Sequence, residues 1–197
     1  MKALGRGSIA SIVKVALDIA WVVFWIAGAL LALVAIVYLG MLLGWAAGWL
    51  PDSLFEGGQV QYRGVGVEAN LTADGDLHWA VAIPGLIGAV ILVCGGLIIV
   101  HRLKQLFASF TSDEPFRREN ADHLRVIWTS LLVLELSRYA LKGLAFGLSS
   151  ALPAQLSGMK VRVDLRLEVW FAIFTLMILA EVFRIGARMR EEQDLTI

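Results

Sequence analysis

The amino-acid sequence predicts a mainly α integral membrane protein: a four-transmembrane-helix bundle with a small extracytoplasmic antiparallel β-sheet of about three strands. Hydrophobic residues make up 58% of the 197 residues, and the mean hydropathy is +0.74, which lies well above the usual composition of soluble proteins. Long stretches, such as Ile19–Leu50, carry no charged residue. The polar segments between the apolar ones alternate with the period of a strand. We therefore expect a single membrane domain over residues 1–197.

The first two spans are predicted at about 16–45 and 80–103. Each contains an uncharged stretch at least as long as the roughly 20 residues that cross a bilayer. The chain begins with basic residues, as a signal peptide does, but the apolar run that follows is too long for one. The first span is therefore expected to remain as an anchor.

Spans three and four are predicted at about 125–149 and 167–188. Val126–Leu152 is apolar apart from three charged side chains, and Val169–Ala180 is a shorter apolar run with a glutamate at each edge.

The basic residues predict the orientation of these spans. Eleven lie before span one, between spans two and three, or after Glu181, whereas four lie in the other connections. Because basic residues favour the cytoplasmic side, both termini, the loop at about 104–124 and the tail at 189–197 are expected in the cytoplasm.

The two outer connections predict β segments at about 58–81 and 159–168. In the first, apolar and polar residues nearly alternate up to a turn at Asp74-Gly75, a pair that suits a tight hairpin. In the second, MKVRVDLRLEV alternates strictly, which fits a strand and not a helix.

Four charged residues are predicted within the membrane: Glu135, Arg138, Lys142 and Glu181. The first three are spaced i, i+3, i+7 and share one helix face, and each unpaired charge would cost at least about 2.5–3.5 kcal/mol. One interpretation is a proton or ligand site. The other is structural, with a Glu135–Arg138 pair inside the helix and Lys142 extending outward.

Glycines repeat at every fourth position in two spans, at Gly40, Gly44 and Gly48 and again at Gly143 and Gly147. Small residues at this spacing let membrane helices approach closely. The pattern predicts packing of span one on span three, and self-association into a homo-oligomer is the alternative.

No constellation typical of catalysis is present in the sequence. Cys94 is the single cysteine, the three histidines are scattered, and no nucleophile has a base at a plausible spacing. We therefore expect no enzyme and no cofactor or metal. The net charge of zero does not indicate direct binding to nucleic acid.

The cytoplasmic loop TSDEPFRRENADHLR predicts a helix that begins with capping residues and has Pro115 in its first turn. Phe116, Asn120 and Leu124 then fall on one face, while Arg117 and its neighbours fall on another. This helix is either a binding surface or an extension of span three that meets anionic headgroups.

The carboxyl terminus combines acidic and apolar residues. Leu195 and Ile197 follow Glu192 and Asp194 at a free end. Apolar groups exposed there dock either on the protein's own inner face or on a partner.

At these residues the sequence resembles a bacterial membrane family known as domain of unknown function 2975. Its members are similar in having four spans, a Pro-Phe…Asn…Leu stretch in the middle loop and an Asp-Leu-Thr-Ile ending. The family often has a glycine two residues before the Pro-Phe pair, where this chain has Asp113. The resemblance covers the chain from about residue 80 onward and implies the bacterial cytoplasmic (inner) membrane. It also implies a partner, because members are often encoded beside a small helix-turn-helix regulator of the Cro/C1 type.

The leading hypothesis is a membrane-bound regulatory protein, surrounded by lipid, that binds or sequesters a small cytoplasmic helix-turn-helix transcription regulator. The alternative is a small transporter or ion-coupled permease that uses the charges of span three. The partner-binding residues expected under the leading hypothesis are Pro115, Phe116, Arg117, Asn120, Leu124, Glu192, Asp194, Leu195, Thr196 and Ile197.

Overall fold

The computed structural model describes the backbone of residues 9–51, 59–64, 67–72, 78–110, 118–151, 159–161 and 164–194. It describes side chains in 12–41, 43–51, 84–109, 118–147 and 164–192. The described residues form four helices: α1 (Ile9–Ala46), α2 (His78–Phe110), α3 (Arg118–Ala151) and α4 (Leu167–Asp194).

Helix α1 ends in a glycine-dependent turn. Gly48 has a φ of 70°, in the left-handed region that costs glycine little. The Trp49 backbone N–H donates to the Gly44 carbonyl at 2.9 Å, which satisfies one of the carbonyls left over at the helix end.

Three helical stretches are long and apolar enough to cross a membrane: Ile12–Ala46, Pro84–Ser109 and Leu167–Glu192. In the most apolar 18 residues of each helix, the share buried inside the protein is 0% in α1, 11% in α2 and 6% in α4. Apolar surface of this extent is stable only where lipid replaces water.

The prediction of a four-transmembrane-helix bundle with an extracytoplasmic β-sheet is wrong. Within the described residues, three helices and not four are long and apolar enough to cross a membrane. Helix α3 is not, because Glu135, Arg138 and Lys142 interrupt its apolar stretch. Where the structure describes side chains, about 94% of the residues are helical and none belongs to a strand.

Three short segments whose backbone alone is described run as extended chain: β1 (Gln59–Gly64), β2 (Val67–Thr72) and β3 (Met159–Val161). They pair antiparallel in the order β1-β2-β3, with Gln59 opposite Thr72 and Val67 opposite Val161. With three to six residues each, these segments leave the fold class helical.

The chain divides into two compact units. The first comprises Met1–Ala27, Val93–Glu135 and Arg166–Ile197, and the second comprises Gly28–Leu92 and Leu136–Leu165. The core of the first unit joins three helices, because it is built from Leu106 of α2, Leu124 of α3 and Ala180 of α4, with Trp128, Leu176 and Phe183 packed against it.

Close helix contacts occur at glycines of α2. A Cβ at Gly95 would lie 2.7 Å from Cδ2 of Leu134 in α3, and a Cβ at Gly96 would overlap the ring of Phe24 in α1. These two glycines therefore allow α2 to approach both neighbours within the first unit.

The glycines singled out by their spacing behave differently. A Cβ at Gly40 or at Gly143 would have no atom within 4 Å. The prediction that these glycines pack span one on span three is therefore wrong. The four-residue spacing identifies a smooth helix face but does not identify which face another helix covers.

Replacing Gly96 with alanine is expected to destabilise the protein by about 1–3 kcal/mol, because the added methyl group overlaps the Phe24 ring. The free energy of unfolding in detergent measures the effect. Gly143→Ala is the matched control, since its methyl group enters open space and should leave stability unchanged or raise it by up to about 1 kcal/mol. Equal stabilities of the two variants would contradict the close contact.

Candidate functional site

Asn120 holds the ends of α2 and α3 together. Its side chain is 1% exposed, and its Oδ1 accepts a hydrogen bond from the Ser109 hydroxyl at 2.6 Å. The same hydroxyl lies 2.8 Å from the Leu106 carbonyl, so it anchors the link to the last turns of α2. Asn120 was predicted to contact a partner, but its burial makes it a positioning residue for the connection between these helices.

Leu124 is also 1% exposed and belongs to the core of the first unit. It contacts α2 and α4 residues there, and Phe183 of α4 packs against the same cluster. The stripe that the sequence predicted as a binding face is therefore turned inward at Asn120 and Leu124. The same contacts bring the carboxyl-terminal half of α4 beside the start of α3.

The end of α4 carries the acidic residues of the predicted site. Glu192 is exposed, and its Oε1 accepts a hydrogen bond from Nε of Arg188 at 2.9 Å. Asp194 is the last helical residue, and only its backbone is described. The remaining predicted partner-binding residues lie outside the described residues: Pro115, Phe116, Arg117, Leu195, Thr196 and Ile197.

The start of α1 lies beside the end of α2. Nζ of Lys104 is 2.6 Å from Oδ1 of Asp18, and the same ammonium lies 5.7 Å from the centroid of the Trp21 ring. The His101 ring is 5.6 Å from Trp21, centroid to centroid. Asp18 and Lys104 are remote in the chain, so spacing along the sequence does not identify this pair.

A second polar link joins α2 and α3. Nη1 of Arg102 donates to Gln105 at 3.1 Å and lies 3.5 Å from Nδ1 of His123. Burial of the imidazole, followed by the nearby Arg102 charge, lowers the pKa of His123 below its usual value. The ring is therefore neutral near pH 7, which leaves Nδ1 able to accept the Arg102 hydrogen bond.

Within the second unit, the buried Lys142 and the partly buried Arg138 of α3 share one carboxylate. Lys142 is 3% exposed, Arg138 is 11% exposed, and both pair with Asp164 in the segment before α4. Nη1 of Arg138 donates to Oδ2 of Asp164 at 3.0 Å, and Nζ of Lys142 contacts Oδ1. Asp164 was missed as a partner because the sequence assigned it to the polar face of a strand.

The pair with Asp164 explains how the charge of Lys142 is buried. The side chain does not extend outward, as the structural interpretation expected, but is buried against Asp164. Hydrogen bonds from Lys142 and then Arg138 lower the pKa of Asp164 to about 2. The carboxylate therefore stays ionised at any physiological pH, so both cations keep an anionic partner.

The other two charges predicted within the membrane belong to the first unit. Glu135 is 3% exposed, and its Oε2 lies 4.0 Å from Nη2 of Arg166. Glu181 is half exposed on α4 and pairs with Arg184 at 2.5 Å. Among the described residues, no three His, Cys, Asp or Glu side chains come together as a metal site would require.

The helices and their exposed apolar surfaces define the class of this molecule: it is a multi-pass integral membrane protein. A family model described as "Protein of unknown function (DUF2975)" matches residues 68–197, the larger part of the chain. The chain belongs to this family, and the resemblance found in its loop and tail is confirmed. Searches of the curated proteins and of the solved structures returned no match.

Replacing Asp164 with asparagine is expected to lower the stability of the protein, because the buried Lys142 and the partly buried Arg138 then lose their carboxylate partner. Thermal unfolding in detergent measures the loss. Glu168→Gln, at an exposed position, should change stability far less. Adding Lys142→Met to Asp164→Asn should recover part of the loss, and no recovery would show that the Lys142 charge is not the cause.

The same contact predicts a pH dependence. The pKa of Asp164 is lower in the folded protein than its ordinary value of 3.8, so the carboxylate stabilises the fold fully above about pH 4. That contribution is lost as the pH falls from about 4 to about 2. The difference in stability between the natural protein and Asp164→Asn should therefore shrink over this interval. A constant difference would contradict the ion pair.

Replacing Asn120 with alanine is expected to cost about 1–3 kcal/mol, because a buried hydrogen bond across the α2–α3 connection is lost. The free energy of unfolding measures this cost. Asp122→Ala, two residues away and exposed, is the control and should stay within about 0.5 kcal/mol of the natural protein. A loss at Asp122 as large as that at Asn120 would argue against the positioning role.

Proposed function

We propose that this protein is a non-catalytic regulator in the bacterial cytoplasmic membrane that binds a small helix-turn-helix transcription regulator. The binding surface is formed by the loop at about 104–124 and the carboxyl-terminal tail, both in the cytoplasm. Holding the DNA-binding protein at the membrane keeps it away from its operators. The partner class comes from the family resemblance, and the surface is argued from the residues around it.

The proposal rests on the packing of Leu106, Leu124 and Ala180 in the first unit. It joins the end of α2, the start of α3 and the second half of α4. The helix that bears the tail therefore ends beside the helices that bear the loop. A partner can contact both segments at once only where they share one face, and this packing supports such a face.

Charge supports a shared cytoplasmic compartment. Lys14, Arg102, Lys104, Arg118 and Arg125 lie on the three helix ends that meet in the first unit, and α4 adds three arginines after Glu181. The contacts of Asp18 with Lys104 and of Arg102 with His123 draw these ends together. An excess of basic residues at one end favours the cytoplasmic side.

The tail suits a DNA-binding partner. A DNA-reading surface carries basic residues that neutralise phosphates, and Glu191, Glu192 and Asp194 offer carboxylates in place of those phosphates. Leu195 and Ile197 add apolar side chains that can anchor in a groove. Binding of this kind competes directly with DNA, which explains how capture at the membrane would release an operator.

The contacts of α3 do not favour the transporter alternative. Lys142 and Arg138 both pair with Asp164, and Glu135 lies near Arg166. Each of these charges is therefore used within the protein, and a structural role accounts for the three residues.

Replacing Leu195 and Ile197 together with alanine is expected to release the regulator from the membrane. The partner to be followed is the product of a helix-turn-helix reading frame beside this gene. Its membrane-bound fraction should fall about tenfold, since apolar anchors dominate protein interfaces. Met189→Ala removes an exposed apolar side chain from α4, before the tail, and should leave that fraction unchanged.

Two results would count against the proposal. In one, the regulator stays with membranes that contain only the Leu195 and Ile197 double variant. In the other, reporter tags inserted in the 111–117 segment and fused after Ile197 report opposite sides of the membrane.

A further inference from the structure

A basic cavity lies between the start of α3 and the end of α4. Its volume is about 210 Å³, and it is lined by Arg118, Arg184, Ile185, Arg188 and Glu191. Three guanidinium groups and one carboxylate give the lining a net charge of +2. All five residues belong to the first unit.

The arginines can accept an anion. A guanidinium carries five N–H donors, and Arg184 and Arg188 each engage one nitrogen in an ion pair with a neighbouring glutamate. Both pairs are exposed, and exposed ion pairs contribute little, so an incoming anion can compete with them. Arg118 has no ion-pair partner among the described residues.

The size of the cavity favours a small group over a whole metabolite. Pockets that enclose a drug-sized ligand usually measure about 300–1,000 Å³, well above this one. Planar guanidinium groups bind phosphate with paired hydrogen bonds. A phosphate with one short substituent therefore matches both the size and the charge of the cavity.

An exposed apolar stripe leads along α4 to the same cavity. Phe174, Ile178, Val182 and Ile185 lie on one helix face and are 49–66% exposed, and Ile185 also lines the cavity. From Phe174 to Ile185 the stripe runs for about 16 Å at 1.5 Å per residue. One leaflet is about half of a hydrocarbon core roughly 30 Å thick, so the stripe matches an acyl chain.

We propose that this cavity binds the headgroup of an anionic phospholipid whose acyl chain lies along the α4 stripe. Arg118, Arg184 and Arg188 hold the phosphodiester. Glu191 disfavours a doubly charged phosphate and can accept a hydrogen bond from a headgroup hydroxyl, which favours phosphatidylglycerol. Basic cavities at the membrane surface are a common form of lipid recognition.

The stripe distinguishes a lipid from a free phosphate compound. A soluble phosphodiester would gain the arginine contacts but none of the apolar contacts with Val182 and Ile185. A lipid gains both at once, since α4 continues from the apolar region into the cavity without a break.

The test uses the full-length protein in detergent and native mass spectrometry with dioleoyl phosphatidylglycerol or dioleoyl phosphatidylcholine. Phosphatidylglycerol should bind about tenfold more tightly than phosphatidylcholine. The double variant R184Q/R188Q should lose about tenfold or more of the phosphatidylglycerol affinity, given the worth of each arginine near anionic lipid. Its thermal unfolding should be unchanged, because both side chains are exposed.

The matched control is K14Q/R125Q, which removes the same charge from exposed positions outside the cavity and should lose less than about twofold. Equal losses in the two double variants would overturn the site in favour of general electrostatic attraction. Equal binding of phosphatidylglycerol and phosphatidylcholine would also overturn the site.

Other occupants give different results. If glycerophosphoglycerol competes as effectively as the lipid, the cavity binds a soluble phosphodiester. A tenfold gain in lipid binding on deleting Asp194–Ile197 would assign it to the protein's own tail.

Discussion

A charge withdrawn from water must find its partner within the protein, and this constraint governs how the second unit is held together. Lys142 and Arg138 lie among mostly apolar residues of α3, and Asp164 supplies the carboxylate with which both pair. The segment before α4 is therefore tied to α3 by electrostatic contacts. The low pKa of Asp164 follows from the same contacts, because two cations stabilise its ionised form.

The first unit is organised differently, because apolar packing and one buried amide bring its helices together. Leu124 contributes to a core shared by three helices, and Asn120 closes the connection between α2 and α3 through Ser109. Both residues belong to the stretch that carries the family resemblance. Leu124 packs in a core that includes α2 and α4 residues, and the buried Asn120 amide accepts the hydrogen bond from Ser109 of α2.

The end of the molecule formed by these contacts combines two kinds of surface. Acidic and apolar residues of the tail suit a basic protein partner, whereas the arginine cavity and the α4 stripe suit an anionic lipid. Under the proposed function, this end would hold a soluble regulator close to the bilayer without any catalytic group, since capture needs only complementary charge and apolar anchors.

The sequence by itself determined that the chain is a multi-pass membrane protein and a member of its family, because hydropathy and a short motif are local properties of the chain. It also identified Asn120, Leu124 and Lys142 as residues of consequence. Only the tertiary structure decided that the first two face inward and that Lys142 pairs with Asp164. These outcomes depend on contacts between residues far apart in the chain. Spacing along one helix shows which side chains share a face, but only folding decides what lies against that face.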